Sequence, residues 1–178
     1  EVECHAHVDI VNYDHPITEG LPLGHCFGPE ISRWHMMMFK ESGFIEDDRS
    51  YGVGPIFYSL DPDAISLGVL GSIGKTGFCV KRFREWTSIF IATPFASKDV
   101  LRNISTFAGV HHYTNGGDLV YSNKHFLSIC PRVNGKRAIK LPEPKGVTDL
   151  WADERISETT KSFEIDAKAN RTYLYLLE

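Results

Sequence analysis

Five residues, Gly24-His25-Cys26-Phe27-Gly28, hold a thiol between small residues. That pattern is the sequence form of a nucleophile elbow, a sharp strand-to-helix turn that presents a Ser or Cys to a substrate. The chemistry would be nucleophilic attack by Cys26, with a neighbouring His as base. An elbow needs an apolar strand before it and a helix after it. Thr18-Glu19-Gly20-Leu21-Pro22-Leu23 makes a poor buried strand, although Pro29-Glu30-Ile31 could open a helix. A loop or core thiol, the commoner fate of a cysteine, is the preferred reading.

Other residues invite metal or ring-stacking chemistry. Cys4-His5-Ala6-His7 contains good zinc or copper ligands. In an extended chain His5 and His7 project to one side and Cys4 to the other, so a fourth ligand must come from elsewhere. No metal and no cofactor are therefore expected. Trp34, Trp86 and Trp151 could each stack on the flat apolar face of a sugar ring. Trp86 opens an apolar run and reads as core. Trp151, in Asp149-Leu150-Trp151-Ala152-Asp153, sits near a predicted turn, and with Trp34 is a carbohydrate-binding candidate. Trp34 also stands beside Met36, Met37 and Met38, an apolar patch suited to an adaptable protein interface.

The totals narrow the classes. The chain has 178 residues and a net charge of -4, with both signs scattered. The basic stripe of a nucleic-acid binder is missing, so no nucleic-acid partner is expected. No segment approaches the roughly 18 apolar residues of a membrane helix, and no membrane partner is expected. A hydrophobic content of 42% is enough for a core. The four cysteines include no C-x-x-C pair, and sequons stand at Asn103 and Asn170, which leaves the compartment open. The chain begins with Glu1 rather than Met and is read as a piece of something longer.

The pattern along the chain predicts what positions these residues. Residues 8–13 read as a strand, and Asp14-His15-Pro16 as the start of a turn or short helix ending at Gly20. Residues 24–55 read as a long excursion with one strand in 33–39. Strands are predicted over Pro55–Asp61, Ile65–Ser72 and Gly77–Phe83, the last with Phe78, Val80 and Arg82 on one face and Cys79, Lys81 and Phe83 on the other. Thr87–Pro94 is nearly continuous in apolar residues, as in a strand buried on both faces. Ser97 then caps a helix whose apolar stripe is Val100, Leu101, Ile104, Phe107 and Ala108, with Gly109 as its stop. His111 and His112 follow, placed to meet the last helical carbonyls. From residue 118 onward only short strand patterns remain, and Asn134-Gly135 signals a hairpin. The boundary is set near Gly116-Gly117, giving domains 1–116 and 117–178.

Several stretches carry a family resemblance: HPITEGLP, VKRFREWTSIFIATP, AGVHHYTNGGDLVYSNKHFL, IKLPEP and VTDLWADERI. Together they resemble the C-terminal regions of glycoside-hydrolase-like proteins. Those regions join a β-galactosidase trimerisation-type domain, related to class I glutamine amidotransferases, to a small β-sandwich. The resemblance covers roughly residues 8–22 and 56–178. It implies an α/β fold, a partial flavodoxin- or amidotransferase-like sheet, followed by a small antiparallel β-sandwich. Only one convincing helix precedes residue 117, so upstream βα units are expected to be missing.

The resemblance also implies an activity class. An active amidotransferase of this kind places a His and a Glu close together near the end of its domain, whereas His111-His112 is followed by Tyr and Thr. Trimerisation-type domains are regarded as non-catalytic relatives. Glycosidases use two carboxylates from separate strand ends. Glu46-Asp47-Asp48 and Asp153-Glu154 are neighbours along the chain and read as solvated turns. The expectation is a non-catalytic accessory or assembly module of a larger carbohydrate-active protein. It would pack against the parent's catalytic barrel or identical subunits. The alternatives are a carbohydrate-binding module using Trp151 or Trp34, and an amidotransferase-like enzyme using Cys26.

Overall fold

Strand alternation, rather than helical periodicity, governs nearly all of the computed structural model, which describes residues 7–28, 56–93 and 96–178. Among the described residues, two antiparallel sheets and one helix account for the regular structure, and the chain divides into a unit of Glu1–Ala108 and a unit of Gly109–Glu178.

The first unit holds β1 (Val8–Ile10), β2 (Cys26–Phe27), β3 (Ile65–Leu70), β4 (Lys75–Arg82), β5 (Thr87–Ile91) and α1 (Lys98–Phe107). The sheet runs β2-β1-β3-β4-β5, and every pairing in it is antiparallel. Val8, Leu67, Phe78 and Val80 point to one face and bury there with Ile17 of the 14–20 turn and Val100 of α1. Each such side chain contributes about 1.5–3 kcal/mol by leaving water.

This arrangement corrects the α/β expectation. A flavodoxin-like sheet is built from βαβ units, in which a helix returns the chain to a parallel strand. Here α1 follows β5 and no parallel strand follows it; the chain passes into the second unit's antiparallel sheet. Residues 56–61 are not a strand either. They cross the sheet irregularly, and Ser59 N–H donates to the Thr76 carbonyl.

The second unit holds β6 (Leu119–Ser122), β7 (Phe126–Cys130), β8 (Gly135–Asp149), β9 (Glu154–Ala167) and β10 (Tyr173–Leu177), in the order β6-β7-β10-β8-β9. β10 lies between β7 and β8, so Asn134-Gly135 does not close the predicted hairpin. Asn134 instead accepts a hydrogen bond from Ala169 N–H.

The long β8–β9 ribbon bends. Phe163 pairs with Ile139 and Tyr175 with Asp149, yet the Phe163 and Tyr175 rings meet edge to face at 5.0 Å. On a straight strand, rising about 3.3 Å per residue, Ile139 and Asp149 would stand roughly 30 Å apart. The register breaks between Lys140 and Lys145, across Pro142-Glu143-Pro144, because proline cannot donate to the ladder. The bend brings Ile139, Leu141 and Phe163 onto Leu127, Ile129 and Tyr175 in one core. One folded antiparallel sheet thus supplies both layers of the expected sandwich-like unit.

Candidate functional site

The alternation of β4 and β5 gives the first sheet two chemically different faces. Phe78 and Val80 enter the core. Cys79 and Lys81 on β4, Phe83 just beyond it, and Ser88 and Phe90 on β5 line a cavity of about 300 Å³ on the opposite face. The irregular segment after residue 56 completes its walls with Phe57, Tyr58, Ser59 and Asp61.

An ion pair ties that segment to the sheet. Lys81 Nζ lies 2.6 Å from Asp61 Oδ2 and 3.5 Å from Asp63 Oδ2. Asp61 Oδ1 also accepts Asp63 N–H at 3.0 Å. The Lys81 hydrogen bond, and then the Asp63 amide, hold the Asp61 carboxyl below its usual range. Asp61 in turn raises Lys81 above the ordinary lysine value. Both groups are thus charged at neutral pH.

The cavity rim is aromatic. Phe83 and Trp86 flank the two-residue Arg84-Glu85 turn of the β4–β5 hairpin, closed by Phe83 N–H donating to the Trp86 carbonyl. Their rings stack at 4.1 Å with an interplanar angle of 11°, and the Lys81 ammonium lies 5.6 Å from the Phe83 centroid. Trp86, expected in the core, is 59% exposed. It stands at a hairpin turn rather than inside a buried strand. The polar Arg84-Glu85 pair between two aromatics was the available sequence signal.

The other sequence candidates do not converge on this cavity. Cys26 is exposed, with its backbone in β2 opposite Asp9. It is not among the non-glycine residues with positive φ, which are Asp153 and Asn170 among the described residues. The ring of His25 beside it is engaged with Ser97 Oγ at 2.9 Å. Trp151 projects from the β8–β9 turn, 64% exposed, on a loop held by the Asp149 carboxylate, which accepts Trp151 N–H at 2.8 Å and Ala152 N–H at 3.1 Å. Asp153 and Glu154 are exposed around that turn.

His111 donates from Nε2 to the Lys140 carbonyl of β8 at 2.8 Å, rather than to the end of α1. His7 lies 3.5 Å from Asp9. Cys4, His5, Trp34, Met36, Met37, Met38 and Glu46-Asp47-Asp48 lie outside the described residues. Among the described residues no group of three or more His, Cys, Asp or Glu gathers as metal ligands would. No helix among them is long and apolar enough to cross a membrane.

A second feature concerns the sheet's margin. Ala92 N–H donates to Gly77 O, and Phe83 N–H to Trp86 O. In an antiparallel pair, hydrogen-bonded and non-bonded pairs alternate. With Phe78 opposite Ile91, Val80 opposite Ile89 and Arg82 opposite Thr87, the N–H and C=O groups of Thr87, Ile89 and Ile91 must point away from β4. Among the described residues no strand meets them, because the sheet ends at β5.

No family model matches this sequence, and no curated protein matches it. Among solved structures, the chain is similar to β-galactosidase from Bacillus circulans sp. alkalophilus, at 16% identity and a TM-score of 0.46, over 65% of this chain and 18% of that one. It is also similar to β-galactosidase from Rahnella sp. R3, at 11% identity and a TM-score of 0.39, over 64% of this chain and 17% of that one. The chain spans less than a fifth of the length of either protein, and a likeness at this level transfers neither a reaction nor a site.

Proposed function

We propose that this chain is a non-catalytic accessory region of a larger carbohydrate-active protein, and that it works by packing. The observation that carries the reading is the outer margin of β5, which no strand among the described residues meets. An uncharged edge strand, Thr87-Ser88-Ile89-Phe90-Ile91, offers three outward backbone sites and flanking apolar side chains. Proteins ordinarily blunt such edges with charge, proline or a bulge, because an open edge recruits another strand. An edge left this way fits addition of a strand from the parent's remaining domains or an identical subunit. The sequence resemblance to C-terminal regions of glycoside-hydrolase-like proteins supplies the carbohydrate-active parent.

The parity of β5 supplies the test. Ile89 directs its N–H outward, so Ile89→Pro removes a donor for a partner strand without breaking a bond to β4. Ser88→Pro removes a ladder bond and should unfold the hairpin. Light scattering over a dilution series should show the native chain associating, with Ile89→Pro remaining monomeric and retaining its circular dichroism. Turnover of nitrophenyl glycosides or of glutamine by the purified chain would overturn the non-catalytic part. Association undiminished in Ile89→Pro would overturn the role of β5.

Trp151 favours a second reading, a carbohydrate-binding module, because its ring is exposed on a rigid turn with carboxylates beside it. Loss of oligosaccharide binding in Trp151→Ala alone would select it.

A further inference from the structure

The cavity over β4 and β5 has a composition that selects among ligands. Its walls are the rings of Phe57, Tyr58, Phe83 and Phe90, and its polar groups are the Lys81–Asp61 pair with Ser59 and Ser88. We propose that it is a binding site for one neutral polyhydroxylated ring, a single pyranoside unit. This inference stands on the cavity alone and is independent of strand addition at β5.

The charge balance gives an anion no net attraction. Asp61 and Lys81, the charged residues among the cavity's described lining, neutralise each other, so a carboxylated or phosphorylated ligand would have to compete with Asp61 for the Lys81 ammonium. A wholly apolar ligand is disfavoured for a different reason. It would strip water from the ion pair and return no hydrogen bond, and unsatisfied buried polar groups are costly.

A hydroxylated ring meets both demands. Two of the three Lys81 protons are directed at Asp61 and Asp63, which leaves one donor without a partner among the described residues, beside the remaining lone pairs of the Asp61 carboxylate. A donor and an acceptor side by side match two neighbouring hydroxyls, each of which both gives and accepts a hydrogen bond. The C–H face of the same ring can lie on the aromatic walls. Phe83 is held for this by its stack on Trp86, and the 57–61 segment by the Asp61–Lys81 pair and the Ser59–Thr76 backbone bond. A volume of about 300 Å³ is at the lower limit of small-molecule pockets, which suits one ring rather than a chain of them.

The test is calorimetric titration of the full 178-residue chain with methyl β-glucopyranoside and methyl β-galactopyranoside. Glucuronate and cyclohexanol serve as the charged and apolar probes of similar size. Saturable binding of at least one methyl glycoside is expected, with a Kd on the order of 1 mM. It should weaken at least about tenfold in Lys81→Met, which keeps the aliphatic stem and loses the donors, and in Phe83→Leu, while Tyr121→Ala, which removes an exposed ring outside the cavity, binds as the native chain does.

Four results would overturn the proposal. The first is no saturation by either glycoside up to about 0.1 M in a folded native chain. The second is binding that survives both cavity variants, which would place the site elsewhere. The third is tighter binding of glucuronate, and the fourth is cyclohexanol binding equal to that of the glycosides and indifferent to Lys81→Met. Circular dichroism of both cavity variants separates lost binding from lost folding.

Discussion

Arg137 and Asp118 form an ion pair whose side chains are 14% and 1% exposed. Arg137 Nε donates to Asp118 Oδ2 at 3.1 Å, while Nη1 and Nη2 donate to the Lys136 and Val133 carbonyls. The guanidinium thus joins the start of β6 to the loop that opens β8. The carboxylate is closed in on its other side by the backbone of Gly116, where an added Cβ would lie 2.7 Å from Asp118 Oδ2. Removing one partner of such a pair leaves a buried charge uncompensated, which typically costs more than the pair itself contributes. Asp118→Ala should therefore destabilise the second unit by about 3 kcal/mol. Replacing both partners with apolar residues should cost less than the single change. Urea unfolding of the single and double variants checks both statements. An Asp118→Ala midpoint equal to that of the native chain would show that water reaches Arg137 and compensates it. Nothing in the sequence announced this pair. Both residues fall in stretches that the sequence shows only as short strand patterns, and only the fold of the sheet brings them together.

At the scale of elements, the bounds and caps of α1 were legible because those signals are local, although Leu101, Phe107 and Ala108 of its predicted apolar stripe are exposed. Ser97 Oγ accepts Val100 N–H, Val100 is fully buried, and Gly109 takes the left-handed conformation past the last turn, with φ of 75°. Ser97 has a second task that the sequence did not show, since its hydroxyl also meets His25 Nε2. Ser97→Ala should cost about 1 kcal/mol through the lost cap. Ser97→Asp, which restores an acceptor for the first-turn amides, should recover most of it in the same denaturation assay. A loss well beyond the cap value would mean that the His25 contact contributes independently. β4 was legible for a similar reason, its two faces being written as alternation. β5 was misread as doubly buried. Its apolar run serves a core face, through Ile89 and Ile91, and a cavity face, through Phe90. The cavity itself was invisible in the sequence because the Asp61–Lys81 contact joins residues with a whole strand between them. Trp34 and Met36 to Met38, the patch the sequence favoured for assembly, lie outside the described residues.

For the whole molecule, the question is where a folding unit ends. The reading near Gly116-Gly117 followed a change in pattern, whereas the chain's own contacts divide it after Ala108. The residues between are part of the second unit's structure. Lys140 N–H donates to the Tyr113 carbonyl, and His111 Nε2 donates to the Lys140 carbonyl, so this stretch lies along β8 as an extra, irregular edge. His111 and Tyr113 pack ring against ring at 4.8 Å, Tyr113 rests on the second core, and Thr114 is buried. That core is drawn wholly from residues of the second unit, which is the condition for folding alone. At 70 or fewer residues such a unit is close to the size at which a single core is marginal, so every edge contact counts. A fragment of residues 109–178 should fold cooperatively, with dispersed amide resonances and a single thermal transition. A fragment of residues 117–178 loses the two backbone-anchored contacts to Lys140 and the cover of Tyr113. It should be less stable by about 2 kcal/mol or fail to fold. Equal melting of the two fragments would show that residues 111–114 only lie against β8 and do not support it. Failure of the longer fragment, with the full chain folded, would show instead that the second core depends on residues before Gly109.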